Sequence, residues 1–89
     1  MEILKKENLF YLGNENNPDA YLKYSFRDEN TISIDSTFVD PKLRGEGVAK
    51  LLTDKVVDLA KENNYKIIPV CSYAVKYFEK NQELTDLLK

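Results

Sequence analysis

The stretch VDPKLRGEGVAKLL, Val39 to Leu52, decides the reading of this chain. Only three glycines occur in the whole sequence, and two of them, Gly45 and Gly47, stand two residues apart beside Arg44. Glycine is the costliest residue to order, so such a pair marks a turn or a place where backbone must come very close to something. Directly after the pair the hydrophobic period becomes helical. Val48, Ala49, Leu52, Val56, Leu59 and Ala60 fall three or four apart, with Lys50, Asp54, Asp58, Lys61 and Glu62 elsewhere. This spacing predicts an amphipathic helix from Gly47 to about Asn63, roughly 25 Å long.

Before the glycines the period is two. NLFYLGN (8 to 14) reads as a first strand, ended by the turn formers of GNENNPD, Gly13 to Asp19. AYLKYSFRD then alternates Tyr21, Lys23, Ser25 and Arg27 with the apolar Leu22, Tyr24 and Phe26. RDEN makes a tight connection to a third strand, TISIDSTFV (31 to 39). That strand is expected to turn Ile32, Ile34 and then Phe38 or Val39 inward, with Thr31, Ser33 and Asp35 outward. After the helix, stopped by Asn63 and Asn64, YKIIPV (65 to 70) is a short buried strand. SYAVKYFEKN (72 to 81) is a second helix that Ser72 can cap, and ELTDLL is a last helical turn or two. The class is α+β: a three-stranded antiparallel meander continued by a βαβ unit and C-terminal helices. Residues 1–89 make one domain.

The βαβ unit makes its two strands parallel, and ligands in open α/β sheets sit outside the carboxyl ends of parallel strands. Those ends are Val39 to Asp40 and Val70 to Cys71, beside the glycine pair. Pro69 cannot donate a ladder hydrogen bond, so pairing between the two strands is expected to lapse there and to free backbone groups for an extended ligand. From Leu43 to Ala49 the amides precede a helix, lack intrahelical partners and carry the positive end of its dipole. Gly45 and Gly47 keep them bare, Arg44 adds a charge, and Glu46 points outward. The same letters also describe a glycine turn that starts a helix and binds nothing.

Composition narrows the chemistry. The chain has 13 basic and 15 acidic side chains, a net charge of −2, so nothing draws polyanions to it globally. Histidine is absent and Cys71 is the one cysteine, which removes imidazole catalysis, an internal disulfide and a Cys/His metal cluster. No run of about 18 apolar residues and no basic-then-apolar leader occurs, so the expectation is a cytoplasmic protein without a membrane partner. A Walker loop fails because Val48 follows Gly47, and a dinucleotide fingerprint fails because Lys50 stands where its third glycine belongs. RGEGVA superficially matches an RNA-recognition strand, but Glu46 and Val48 cannot stack on bases, and no nucleic-acid partner is expected.

VDPKLRGEGVAKLL, with Arg44, Gly47 and Ala49 at R-x-x-G-x-A positions, resembles the acyl-CoA binding signature of the GNAT superfamily of N-acetyltransferases. CSYAVKYFEKN (71 to 81) is similar to small single-domain GNAT-like proteins, in which a Cys followed by Ser-Tyr ends the next strand and opens the last long helix. The resemblance covers about residues 8 to 83 and implies a minimal GNAT-like fold. It also implies acetyl-CoA as the acyl donor and an unidentified amine, small molecule or peptide, as acceptor. The cofactor-binding residues it implies are Phe38, Val39, Arg44, Gly45, Glu46, Gly47, Val48 and Ala49. The pyrophosphate of coenzyme A would lie at the loop, and the pantetheine arm along Phe38 and Val39. Larger GNAT enzymes carry two helices between their first strands and further strands after the last helix, which build the acceptor site. Here a short turn replaces the former and the chain ends at Lys89, so a non-catalytic acyl-CoA binding or protein-interaction module of the same fold is the alternative.

In many members a tyrosine of the last helix protonates the departing thiolate; Phe78 holds that place here, with Tyr77 and Tyr73 as substitutes. Cys71 is the catalytic candidate. As a lone cysteine after a buried strand it reads as apolar filler, while its place at a helix N-terminus lowers thiol pKa. Direct aminolysis beside it and an acyl-cysteine intermediate are both open. An amine of pKa about 10.4 is neutral in roughly one part in 2,500 at pH 7, a handicap of about 4.6 kcal/mol. With no histidine, the candidates to reduce it are Asp35, Asp40, a water chain or the Cys71 thiolate.

Overall fold

The computed structural model describes residues 2–89. One five-stranded sheet runs in chain order, with β1 (Leu4–Lys6), β2 (Leu9–Asn14), β3 (Asn17–Asp28) and β4 (Thr31–Val39) antiparallel to one another and β5 (Lys66–Pro69) parallel to β4. Between β4 and β5 lie a single 3₁₀ turn (Pro41–Leu43) and helix α1 (Val48–Asn63). Helix α2 (Ser72–Lys80) follows β5, and a 3₁₀ helix (Gln82–Leu87) closes the described chain.

The meander has four strands where three are expected. β1 was not read because LKK has no apolar alternation; it is a three-residue, lysine-bearing edge of the kind that discourages further pairing. The GNENNPD segment is also less of a turn than its letters suggest. Only Glu15 and Asn16 turn, held by Asn16 N donating to Asn14 Oδ1 at 2.8 Å, and Asn17, Pro18 and Asp19 already belong to β3. A bulge between Leu12 and Gly13, with Gly13 at φ +94°, lets the strand continue opposite Pro18.

α1 and α2 cover one face. Val48, Leu52, Val56, Val57 and Ala60 of α1 and Ala74, Tyr77 and Phe78 of α2 form one core with Phe10, Ala20, Leu22, Tyr24, Ile32, Ile34 and Ile67. α1 ends as its asparagines suggest: Asn64 adopts φ +59°, and its amide bonds the Ala60 carbonyl.

A second bulge matters more. The β3–β4 register runs Tyr24↔Ile34 and then Lys23↔Ser36, so Asp35 is an extra residue. Beyond it the alternation of β4 is reset: Thr37 and Val39, opposite Leu22 and Ala20, face the helices, while Phe38 stands opposite Tyr21 on the other face. Of the two residues offered for the inward place, Val39 takes it. Thr31 and Ser33 do stand opposite to Ile32 and Ile34, yet they are buried, because β4 is interior and neighbouring side chains close over them.

Candidate functional site

Two local departures open a cleft at the carboxyl ends of β4 and β5. First, their pairing ends at Ile34↔Pro69, and the Ile34 carbonyl takes the amides of both Val70 and Cys71 at 3.1 Å. The lapse expected at Pro69 is therefore present, and the Asp35 bulge is its other half, since it turns β4 out of step just where Pro69 ends the ladder. Second, Gly45 and Gly47 both take left-handed backbone, φ +87° and φ +75°. A side chain is disfavoured there by conformation alone, and a Cβ built on either would meet no protein atom within 4 Å. The glycines thus face open space.

That space is a cleft of about 350 Å³ lined by Thr37, Val39, Leu43, Arg44, Gly45, Gly47, Val48, Ala49, Lys50 and Tyr73. Gly47 caps α1 with no side-chain hydrogen bond, and the first helical bond is Leu51 N to Gly47 O at 3.1 Å. The amides of Gly45, Gly47, Val48, Ala49 and Lys50 have no acceptor among the described residues. Five donors without acceptors at the positive end of a sixteen-residue helix have the chemistry to hold an anion. Arg44 stands beside it, exposed and without an ion-pair partner among the described residues.

Of the residues proposed for the cofactor, Val39, Arg44, Gly45, Gly47, Val48 and Ala49 line the cleft. Glu46 is exposed and outside the lining. Phe38 is on the far face, its ring 5.5 Å from that of Tyr21, because the bulge shifted the alternation by one. Thr37 and Lys50 were missed, while Leu43 was read only as the start of the amide loop and Tyr73 only as a substitute proton donor. Thr37 needs the bulge to be known; Lys50 and Tyr73 carried a local signal, standing three residues after Gly47 and two after Cys71.

Cys71 is half-buried at the N-cap of α2, its Sγ 3.5 Å from Thr37 Oγ1. It therefore sits behind the cleft lining rather than in it. Ser72, expected as the cap, is the first helical residue, and no side-chain cap bond forms. Asp40 is engaged in its own turn through Lys42 N. Phe78 is buried in the core against Tyr77, with ring centroids 5.0 Å apart.

Asp54 ties the two helices together. Its Oδ1 accepts from Tyr77 Oη at 2.6 Å and its Oδ2 from Lys50 Nζ at 3.0 Å. Burial, then the hydrogen bond and charge of Asp54, push the Tyr77 phenol far above its usual range, and burial first and Asp54 second push Tyr73 up as well. Both stay protonated at neutral pH, and only Tyr73 reaches the cleft.

A family model described as GCN5-related N-acetyl-transferase matches residues 9–87. A GCN5-like protein of Staphylococcus aureus, solved by NMR, shares 46% identity and superposes with a TM-score of 0.84 over 99% of this chain and 87% of that one. A GNAT family acetyltransferase of Elizabethkingia anophelis, solved with acetyl-CoA bound, is 19% identical with a TM-score of 0.61 over 84% of this chain and 50% of that one, which shows likeness of fold. Protein NATD1 of Xenopus tropicalis is 32% identical over 62 residues, 70% of this chain and 57% of that protein. The chain spans less than two thirds of the curated relatives it matches, 18% of one and 57% of the other.

Proposed function

The chain belongs to the GCN5-related N-acetyl-transferase family, and from that premise we propose that it transfers an acetyl group from acetyl-CoA to an amine. The observation that carries this is the cradle of five open amides beside Arg44 on the rim of an apolar-walled cleft. Acetyltransferases of this family use acetyl-CoA, and the residues present suit it. Amides and guanidinium meet the pyrophosphate; Val39, Leu43 and Val48 offer apolar contact to the pantetheine arm; and β4 beyond Ile34, unpaired on the β5 side, offers peptide groups to its amides.

In the reaction the amine nitrogen attacks the thioester carbonyl, the C–S bond breaks, coenzyme A leaves as thiol and the nitrogen gives up one proton. Cys71 is the side chain proposed to act on these atoms, reached past Thr37 at 3.5 Å. Its thiol serves either as a proton carrier in direct transfer or as the nucleophile of an acetyl-cysteine, which the amine then cleaves. A phenol kept protonated in the cleft, Tyr73, is the other proton source.

One observation favours the non-catalytic reading: Phe78, at the place of the usual tyrosine acid, is sealed in the core. Thiol release from acetyl-CoA with a panel of amines separates the two. Release that depends on amine supports the transferase, and coenzyme A binding without release under any amine supports the binding module.

A further inference from the structure

The helices cover one face of the sheet and leave the other bare. Both edges of the sheet resist pairing with a further strand. β1 is a three-residue edge carrying Lys5 and Lys6, and beyond β5 Leu88 bridges Ile67, whose carbonyl takes the Lys89 amide. Contact with another sheet is thus left to the bare face. An apolar row crosses that face at right angles to the strands, since Leu4, Tyr11, Tyr21 and Phe38 stand directly opposite one another from β1 to β4. Its members support one another sideways: Tyr11 is buried although it lies outside the helix-side core, and the Tyr21 and Phe38 rings are 5.5 Å apart. Leu4 is still 38% exposed and Phe38 40%. Charge flanks the row with opposite signs. Along β3, Asp19 stands two residues to one side of Tyr21 and Lys23 two to the other, each about 7 Å along the strand. Asp19 alternates with the core residue Ala20, and its carboxylate lies 2.8 Å from where a Cβ on Gly13 would be, which sets it on the bare face. Among the described residues its ion-pair partner is Lys42, at a loose 3.6 Å, and Lys23 has none.

We infer that a second copy of the chain covers the bare face, in a two-fold symmetric dimer whose axis runs along the apolar row. Turning a copy about that axis lays row upon row and reverses the strands, so Asp19 of each copy meets Lys23 of the other. An axis along β3 would instead set Asp19 against Asp19 and Lys23 against Lys23, like charges that oppose association. The charge order along β3 therefore selects both the occupant and its orientation. The two sheets would stack about 10 Å apart, as in a β-sandwich, and close Leu4 and Phe38 from water. Thr37 and Val39 face the helices and line the cleft, so the cleft opens on the opposite side of the sheet and pairing leaves it free. The dimer does not depend on the acetyltransferase reading.

The test is sedimentation equilibrium of the full chain, loaded from about 1 μM to about 1 mM, in which 10.3 kDa is expected to give way to twice that mass. Phe38→Ser and Lys23→Glu should each raise the dissociation constant by about tenfold or more, the first by removing the exposed end of the row and the second by creating two like-charge contacts. Both side chains are exposed, so both variants should keep the fold, as circular dichroism checks. Asp19→Lys alone should dissociate the dimer as Lys23→Glu does. Mixing Asp19→Lys with Lys23→Glu is the sharpest arm: in the mixed pair both contacts are again opposite in sign, so a dimer returns that neither variant forms alone. If Asp19→Lys fails to fold, Asp19→Asn replaces it and should weaken the parent dimer several-fold, the scale of two exposed ion pairs at about 0.2 to 1 kcal/mol each. A chain that stays monomeric up to about 1 mM overturns the inference and leaves the row to a partner of other sequence. Association undiminished by Phe38→Ser, a charge-swapped mixture no more dimeric than its parts, or concentration-dependent amide shifts confined to α1 and α2 overturn it as well.

Discussion

Two helices begin at the same end of the sheet, and their first residues are used in opposite ways. Before α1 the backbone is left open: Gly45 and Gly47 adopt left-handed angles, and their amides meet no acceptor among the described residues. Before α2 the backbone is tied down, because the amides of Val70 and Cys71 both bond the Ile34 carbonyl, and the Cys71 thiol stands 3.5 Å from Thr37 Oγ1. On the proposed function, one start would recognise through peptide groups and the other would act through a thiol. Side-chain changes at the first should therefore alter binding most where they alter backbone shape, and a side-chain change at the second should alter rate and leave binding alone.

The largest expected effect breaks the first half of that contrast. Gly47→Val places a β-branched residue at φ +75° and projects its methyl groups into the space the ligand needs. Coenzyme A affinity should fall by about a hundredfold or more, measured by calorimetry on protein whose fold is checked by circular dichroism. The left-handed angle should cost stability, and the fold should still form, since the added Cβ meets no protein atom within 4 Å. Cys71→Ser tests the second half: turnover should drop by about a hundredfold, the scale of losing a positioned acid, base or nucleophile, with coenzyme A affinity unchanged. An acetyl mass on intact protein, absent in Cys71→Ser and removed by hydroxylamine, marks the covalent route, and lost rate without that mass marks direct transfer. Full activity in Cys71→Ser makes the residue a filler and passes its role to Tyr73.

A smaller loss sharpens the claim that backbone dominates at α1. Arg44→Ala should weaken coenzyme A by about 1 to 3 kcal/mol, the worth of a charge-assisted hydrogen bond, and the loss should shrink as salt rises. An Arg44 effect larger than that of Gly47→Val would reverse the ranking.

The smallest effect concerns the tie that fixes the two starts relative to each other. Tyr77 donates to Asp54 across the helix pair, and its phenol in the fold is held above its unfolded value of about 10. A raised value means the stabilisation is complete below pH 10 and is lost as pH climbs above it, because the unfolded phenol ionises first. The melting temperature should fall as pH climbs above 10, and in Tyr77→Phe that part of the fall should vanish. An unchanged alkaline profile in the variant would remove the tie from the account.

The contrast between the two starts also separates what the letters carry from what they hide. The left-handed turn before α1 was legible because only glycine adopts positive φ at little cost, although the same letters also fit a turn that binds nothing. The parting of β4 from β5 was half legible, through Pro69. Its other half, the extra residue Asp35, left no local mark, since a bulge is decided by pairing with β3 on one side and β5 on the other. That one residue exchanged Phe38 for Val39 and brought Thr37 to the cleft. β1 was hidden for a related reason: three residues without an apolar pattern become a strand only because β2 is there to pair with them.

The most direct measurement follows the loop amides themselves. With coenzyme A titrated into ¹⁵N-labelled protein, the account predicts that the resonances of Gly45, Gly47, Val48, Ala49 and Lys50 move together and saturate with one dissociation constant, while that of Cys71, already bonded to Ile34, moves less. Saturable binding that leaves these five amides in place, or no binding at millimolar ligand, would contradict it.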